Sequence, residues 1–187
     1  DRWLRSCCWV YNRALETRIK AYKRRGDSVT YIDQQTLFPA WRERMDWLRL
    51  VPVAFARDAL RRVDRGFKAF FRRIAAGENP GFPRYRSCRR YNSLECSAVG
   101  SYLIGDRIRV PNLGLIRCGG RLMPVGSQRI LRVIRRASGW YAQIVLDDGK
   151  PDPAKREVLT SVGVDVGLSA LATLSTGEKI ENPRWTR

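Results

Sequence analysis

The spacing of the apolar residues changes once along this chain, and that change constrains the fold more than any other feature. Up to about residue 76, apolar residues recur at steps of three and four, which is the period of a helix with one buried face. From Leu94 to Leu146 they form short runs of period two, separated by turn pairs such as Gly105-Asp106 and Ser138-Gly139. We therefore predict an α+β fold in which helices precede an antiparallel sheet or small barrel.

Three long helices are predicted in the first part of the chain. The first covers about residues 2–24, and the second covers roughly residues 31–44, where we expect Pro39 to kink or split the helix. An apolar connection containing Trp47 and Leu48 follows. The third helix, residues 53–76, has the clearest buried stripe, which consists of Ala56, Leu60, Val63, Phe67, Phe70 and Ile74.

The charge of the chain is strongly positive. Its 187 residues include 36 basic and 18 acidic side chains, a net charge of +18, and residues 1–92 alone hold 22 basic and 9 acidic ones. Thirty of the basic residues are arginines, whose guanidinium groups bind phosphate through two parallel hydrogen bonds. This composition predicts a polyanionic partner, although an arginine-rich genome with solvated surfaces would leave the same composition.

Two basic segments are candidate nucleic-acid-binding surfaces. The third helix carries a cationic stripe that consists of Arg57, Arg61, Arg65, Lys68 and Arg72. The loop of residues 79–91 alternates cations with aromatic rings and contributes Arg84, Tyr85, Arg86, Arg89, Arg90 and Tyr91. A cationic helix face suits a phosphate backbone, and aromatic rings beside arginines suit single-stranded or bent nucleic acid. The alternatives are a solvated helix surface and a flexible basic linker.

Residue types that are scarce in this chain exclude several kinds of chemistry. Histidine is absent, which removes Ser-His triads, histidine-ligated zinc and imidazole acid–base catalysis. The five cysteines, at positions 7, 8, 88, 96 and 118, form no CxxC pair, so we expect reduced thiols and no zinc site in this chain. No apolar run approaches the ~18 residues that span a bilayer, so we expect no membrane partner.

Asp165 is the candidate catalytic and metal-binding residue. It stands between Val164 and Val166 in an apolar strand bracketed by Gly163 and Gly167. A carboxylate inside a buried strand is costly unless it is paired or bound to a cation, so we predict a metal ligand. Two alternatives stay open: the nucleotide-binding first strand of an actin-like ATPase, and a structural aspartate capped by backbone amides.

Seven segments, in this order, resemble one family. They are CCWVYNRALE (7–16), LRLVP (48–52), ALRRVDRGFKAFFRR (59–73), GFPRYRS (81–87), GDRIRVPNLGLIRC (105–118), SGWYAQI (138–144) and GVDVGLSALATLSTGEKIENPR (163–184). Together they resemble the N-terminal and central part of the TnpB (OrfB) proteins of bacterial insertion sequences. These proteins are compact RNA-guided nucleases related to type V CRISPR effectors.

The resemblance implies a domain organisation and an activity. It implies a helical recognition lobe at residues 1–92, a wedge-type β-barrel at 93–150, a linker at 151–158, and the opening strands of an RNase H-like (RuvC) domain at 159–187. Asp165 would be the first RuvC carboxylate and would bind Mg²⁺ together with other carboxylates. The implied partners are a guide RNA and a target DNA, with specificity residing mainly in base pairing. The implied location is the bacterial or archaeal cytoplasm, at the nucleoid when DNA is bound. The oligomeric state stays open.

The chain departs from the family pattern in three places. The later RuvC carboxylates and a CxxC zinc ribbon would lie beyond Arg187, and the first wedge strand would lie ahead of Asp1, so we expect a chain cut at both ends. One carboxylate does not hold two metal ions, so we expect no DNA cleavage by this chain alone. Arg57 and Asp58 stand where the family often has glutamine, which leaves the flanking DNA motif open.

Two other functions compete with the guided endonuclease. The first is a nuclease-inactive, RNA-guided DNA-binding protein that acts as a repressor or regulator. The second is a non-specific RNA chaperone, which fits the charge but not the segment around Asp165.

Overall fold

The computed structural model describes residues 1–97, 102–119, 126–152 and 160–183. The chain divides into two compact units, Asp1–Lys150 and Pro151–Arg187. The helices are α1 (Arg2–Arg25), α2 (Tyr31–Arg44), α3 (Asp46–Arg49) and α4 (Val53–Ala75). The strands are β1 (Ser93–Cys96), β2 (Leu103–Ile104), β3 (Arg107–Val110), β4 (Gly114–Arg117), β5 (Ser127–Arg136), β6 (Gly139–Asp147), β7 (Val164–Asp165), β8 (Ala170–Leu174) and β9 (Lys179–Glu181). The predicted α+β class is confirmed.

The three long helices agree with their predicted bounds to within one residue. Helix α1 ends at Gly26, which adopts a left-handed conformation with φ 71°, and α2 begins with a capping box between Thr30 and Asp33. The expectation that Pro39 splits α2 is wrong, because Pro39 lies inside one continuous helix. Its neighbour Phe38 is buried in the core, and this packing holds the turn that contains the proline. The predicted apolar connection contains the short helix α3.

One hydrophobic core joins the helices and the sheets of the first unit. Leu15 of α1, Leu60 of α4 and Leu131 of β5 are completely buried in it. The predicted stripe of α4 is buried only as far as Val63, and Ile74 near its end is 48% exposed. Phe67 and Phe70 of this second half pack against Phe82 of the following loop, with ring centroids 5.7 and 5.3 Å apart.

The strands of the first unit form two antiparallel sheets of three strands each. Their orders are β1-β5-β6 and β2-β3-β4. The side chain of Gln128 on β5 links them, since its Oε1 accepts hydrogen bonds from the backbone N–H groups of Tyr102 and Leu103 at 2.6 and 2.8 Å. Within the residues that the structure describes, these pairings form separate sheets and close no barrel.

The second unit contains one antiparallel sheet with the order β7-β8-β9. Ala172 is the buried apolar side chain of this sheet, whereas Val164 and Val166 are 56% and 72% exposed. The expectation of a buried strand around Asp165 is therefore wrong for this unit, because three short strands form a single layer. The predicted linker falls largely on residues 153–158, which lie outside the described residues, as does residue 159.

None of the helices in the described ranges combines the length and the apolarity that a bilayer span requires.

Candidate nucleic-acid interface

The predicted cationic stripe of α4 lies on an exposed face of the helix. The side chains of Arg57 and Arg72 form no hydrogen bond or ion pair with the described residues. Arg61 donates from Nε to the Tyr31 hydroxyl at 3.1 Å and also contacts the Ser97 hydroxyl. Lys68 pairs with Asp64 at 2.9 Å. The stripe therefore offers two uncommitted guanidinium groups, one near each end of the helix.

Arg65, the central member of the stripe, belongs to an ionic network between α4 and the sheet. Two buried carboxylates form its centre, Asp58 at 1% exposure and Glu95 at 5%. Arg65 Nη2 lies 3.0 Å from Asp58 and 3.3 Å from Glu95. Arg62 pairs with Asp58 at 2.6 Å, and Arg132 of β5 pairs with Glu95 at 2.6 Å. The network fixes α4 onto β1 and β5, so Arg65 has a structural role.

The two carboxylates of this network respond differently to their surroundings. Burial raises the pKa of Asp58 above its ordinary value, although the charge of Arg62 opposes the rise. Burial also acts to raise the pKa of Glu95, but the hydrogen bond from Arg132 and the charge of Arg65 outweigh it and hold this pKa below its ordinary value. Glu95 is therefore ionised at neutral pH and neutralises part of the cationic face of α4.

The basic loop is fastened to α1 through its backbone. The Asn12 side chain accepts from the Arg86 N–H at 2.8 Å and donates to the Arg86 carbonyl at 2.9 Å. Cys8 Sγ donates to the same carbonyl at 3.3 Å, and the Tyr11 hydroxyl donates to the Arg84 carbonyl at 3.3 Å. Positions 8, 11 and 12 share one face of the helix, so these three side chains hold the loop along α1.

The side chains of the loop divide into exposed and buried ones. Arg84, Tyr85, Arg86, Arg89 and Arg90 are exposed, and Tyr85 is 56% exposed. Tyr91 is buried, with its ring under the Arg62 guanidinium at 5.3 Å and 6.4 Å from the ring of Tyr11. Tyr91 therefore belongs to the core and offers no free face on which a base could stack.

A groove of about 520 Å³ lies between α4 and the loop. Its walls carry guanidinium groups, namely those of Arg62, Arg73, Arg84, Arg86 and Arg90. None of the described residues that line it is acidic. The helix positions that face the groove, such as Arg62 and Arg73, lie roughly 120° around α4 from the predicted stripe, given 3.6 residues per turn. The two predicted binding segments thus form two separate cationic surfaces.

Asp165 lies on the short strand β7, where it pairs with Thr173 of β8. Its side chain is exposed and forms no hydrogen bond or ion pair with the described residues. Gly163 precedes it in a tight arrangement with Ser175, whose hydroxyl accepts from the Gly163 N–H at 2.9 Å. The carboxylate is therefore held at a sheet edge, open to an approaching ligand.

The described residues do not by themselves fit a two-metal centre. They contain no group of three or more His, Cys, Asp or Glu side chains that could hold one ion. Two-metal hydrolysis of a phosphodiester needs several carboxylates around the ions, and Asp165 supplies one. The expected Mg²⁺ site stays a prediction.

Comparison with known proteins gives this arrangement a context. No protein-family model matches the chain. A protein of Streptomyces pristinaespiralis named "Putative RNA-guided DNA endonuclease" is 28% identical over 186 residues, which are 95% of this chain and 44% of the relative. A protein of Escherichia coli (strain K12) named "Putative RNA-guided DNA endonuclease InsQ" is 27% identical over 184 residues, which are 96% of this chain and 44% of the relative. The resemblance predicted from the sequence motifs is confirmed.

The chain spans about 44% of the length of the two curated relatives that it matches. Their names describe the complete proteins. The activity and the partners of a complete protein are therefore proposals for this chain.

Several residues of the interface are missing from the sequence-based prediction. The sequence predicts no role in binding for Cys8, Tyr11 or Asn12. An asparagine beside the buried face of a helix is a usable signal, because its amide needs partners that the helix does not provide. The sequence-based prediction also lacks Arg62 and Arg73, because they lie outside the cationic stripe of α4.

Proposed function

We propose that this chain is the nucleic-acid-binding part of an RNA-guided DNA endonuclease. The observation that carries the proposal is the similarity to two proteins of that name over at least 95% of this chain. The two cationic surfaces support it, because guided cleavage requires a protein to hold an RNA and a DNA at once. In the cell it would act in the cytoplasm on nucleoid DNA.

Each region of the chain has a role in this proposal. Residues 1–92 would be the recognition lobe that holds nucleic acid, and residues 93–150 would form a wedge-type β domain. Residues 151–158 would link this part to the opening strands of an RuvC-like domain at 159–187. The shared core of the helices and the first two sheets supports a rigid platform for binding.

Asp165 is proposed as one carboxylate of the nuclease centre. Bound Mg²⁺ would activate water and stabilise the leaving oxygen of a phosphodiester. Asp165 contributes an exposed carboxylate on β7, and its place after a basic lobe matches the order of the family motifs. The remaining ligands would have to come from residues outside those described.

The test uses the native polypeptide purified with the RNA that accompanies it in cells. The RNA is sequenced, and segments that tile its whole length are placed as targets in a plasmid library with randomised flanks. We expect magnesium-dependent cleavage that requires both the RNA and particular flanks. Asp165→Ala should abolish cleavage and leave DNA binding intact, whereas Asp152→Ala, a control carboxylate of the same unit, should cleave normally.

Two outcomes would overturn the proposal. Full cleavage by Asp165→Ala would remove this residue from the nuclease centre. Guided DNA binding without cleavage by the native protein would instead identify a nuclease-inactive regulator.

A further inference from the structure

We propose that the groove between α4 and the basic loop binds a single-stranded polynucleotide, with phosphates on Arg84 and Arg90 and a base stacked on Tyr85. The inference rests on the proposed function only in taking nucleic acid as the ligand. It places a nucleic-acid strand on a surface that is separate from the cationic stripe of α4.

The charge of the groove selects an anionic ligand. Arg84 and Arg90 on the loop wall form no side-chain hydrogen bond or ion pair with the described residues. On the opposite wall, Arg73 has one distant partner, Glu78, at 3.7 Å. Arg62 on the same wall is paired with Asp58 at 2.6 Å, so the unpaired guanidinium groups of the groove are those of the loop wall. With no carboxylate among the described lining residues, these charges favour an anionic ligand between the walls. A chain of phosphates neutralises both walls together.

The aromatic side chains of the groove select a single strand. Tyr85 is 56% exposed and its ring packs against no aromatic ring among the residues that the structure describes, so a face is open to a base. Phe82 lies beside it on the lining and is 48% exposed. Bases in a duplex are stacked on one another, whereas unpaired bases stack readily on protein rings next to cations. A volume of about 520 Å³ also suits a ligand of nucleotide size.

The loop wall is ordered before any ligand arrives. Asn12, Tyr11 and Cys8 hold the backbone of residues 84–86 through the four hydrogen bonds described above. Because this backbone is already fixed, little conformational entropy is lost when the strand binds. At the base of the groove the loop already lies close to the helix, since a Cβ at Gly66 would meet Pro83 at 3.8 Å.

The experiment measures binding of labelled oligonucleotides to the native polypeptide by fluorescence anisotropy across a salt series. The probes are a 12-nucleotide oligo(dT), a 12-nucleotide oligo(rU) and a duplex DNA of 20 base pairs. The groove variants are Arg84→Ala/Arg90→Ala and Tyr85→Leu. Their controls remove equal charge or another exposed tyrosine ring elsewhere, namely Arg24→Ala/Arg44→Ala and Tyr22→Leu. Circular dichroism melts check that every variant folds.

We expect the double arginine variant to bind single strands at least about tenfold more weakly and to lower the salt slope by roughly 1.4, for two lost phosphate contacts. Tyr85→Leu should weaken single-strand binding by about 5- to 150-fold without changing that slope. Duplex affinity should change by less than about threefold in both. A larger loss of affinity for oligo(dT) would identify the bound strand as DNA, and a larger loss for oligo(rU) would identify it as RNA.

Single-strand affinities that match those of the native protein in both groove variants would overturn the inference, as would equal losses in the control variants. If the single-strand affinities of both groove variants stay unchanged while guided cleavage persists, only the assignment of the groove fails. If the native protein binds none of the three probes and no RNA accompanies it, the proposed function fails as well.

Discussion

Asn12 of α1 holds Arg86 of the basic loop at both of its backbone groups, with hydrogen bonds of 2.8 and 2.9 Å across 74 residues of sequence. A side-chain amide that satisfies one N–H and one C=O replaces the pairing that a neighbouring strand would give. This relationship makes α1 a structural partner of the loop.

Replacement of Asn12 by alanine should loosen the loop. Two hydrogen bonds are lost, so we expect the free energy of unfolding to fall by about 1–2 kcal/mol. The affinity for a 12-nucleotide oligo(dT) should fall by about threefold or more, because the strand must then order the loop. Urea denaturation and fluorescence anisotropy measure the two effects.

Asn92→Ala is the matched control, since the Asn92 side chain is exposed and forms no hydrogen bond with the described residues. It should change both quantities by less than the error of measurement. Equal effects of the two variants would show that the bonds from Asn12 to the loop are unimportant.

Glu95 should make stability depend on pH in the acid range. Its folded pKa lies below its usual value of 4.5, so its contribution is present above that value and is lost as the pH falls through the folded pKa. Glu95→Gln should lower the free energy of unfolding by about 1–3 kcal/mol at pH 7. The gap between native protein and variant should narrow between about pH 5 and pH 3.

The raised pKa of Asp58 acts on stability in the opposite direction, and the charge of Glu95 contributes to that rise, so Glu95→Gln weakens this opposing effect as well. The quantity to follow is the difference in the free energy of unfolding between the two proteins. Urea denaturation at several pH values provides it. Glu43→Gln, at an exposed position, should show no gap at any pH. A gap for Glu95→Gln that is constant with pH would contradict the ionised, paired carboxylate.

The two halves of the apolar stripe on α4 should differ in their contribution to stability. Leu60 is completely buried, so Leu60→Ala should lower the free energy of unfolding by about 2–5 kcal/mol. Ile74 is 48% exposed, and Ile74→Ala should lower it by less than about 1 kcal/mol. Denaturant titration compares them directly. Similar losses at both sites would indicate that the end of the helix is covered in solution.

The cysteines should differ sharply in reactivity. Burial raises the pKa of Cys7 to about 12, and burial together with the neighbouring Cys88 raises the pKa of Cys8 to about 12. Both are thiols at pH 8, where alkylation needs the thiolate. Iodoacetamide should therefore modify the exposed Cys88 and spare both of them in the native protein.

Tryptic peptide mass spectrometry identifies the modified sites. The same reaction in guanidinium chloride should label Cys7, Cys8 and Cys88 alike, which controls for peptide recovery. Labelling of Cys7 or Cys8 as fast as Cys88 under native conditions would contradict their burial.

The sequence by itself determined the local elements and the relationship to known proteins. The steps of three and four placed the long helices to within one residue, because an amphipathic helix needs only local spacing. The same spacing correctly predicted an exposed cationic stripe on α4. The ordered motifs predicted the resemblance that the two relatives confirm.

Only the tertiary structure decided which of these side chains remain available. In the folded chain, Arg65 pairs with two buried carboxylates, and Tyr91 is buried beneath Arg62. The groove beside the basic loop lies apart from the cationic stripe of α4. The tertiary structure also left β7 exposed, although an isolated apolar strand would suggest burial. These outcomes depend on contacts between residues such as Asn12 and Arg86, and hydrophobic periodicity carries no information about partners so distant in sequence.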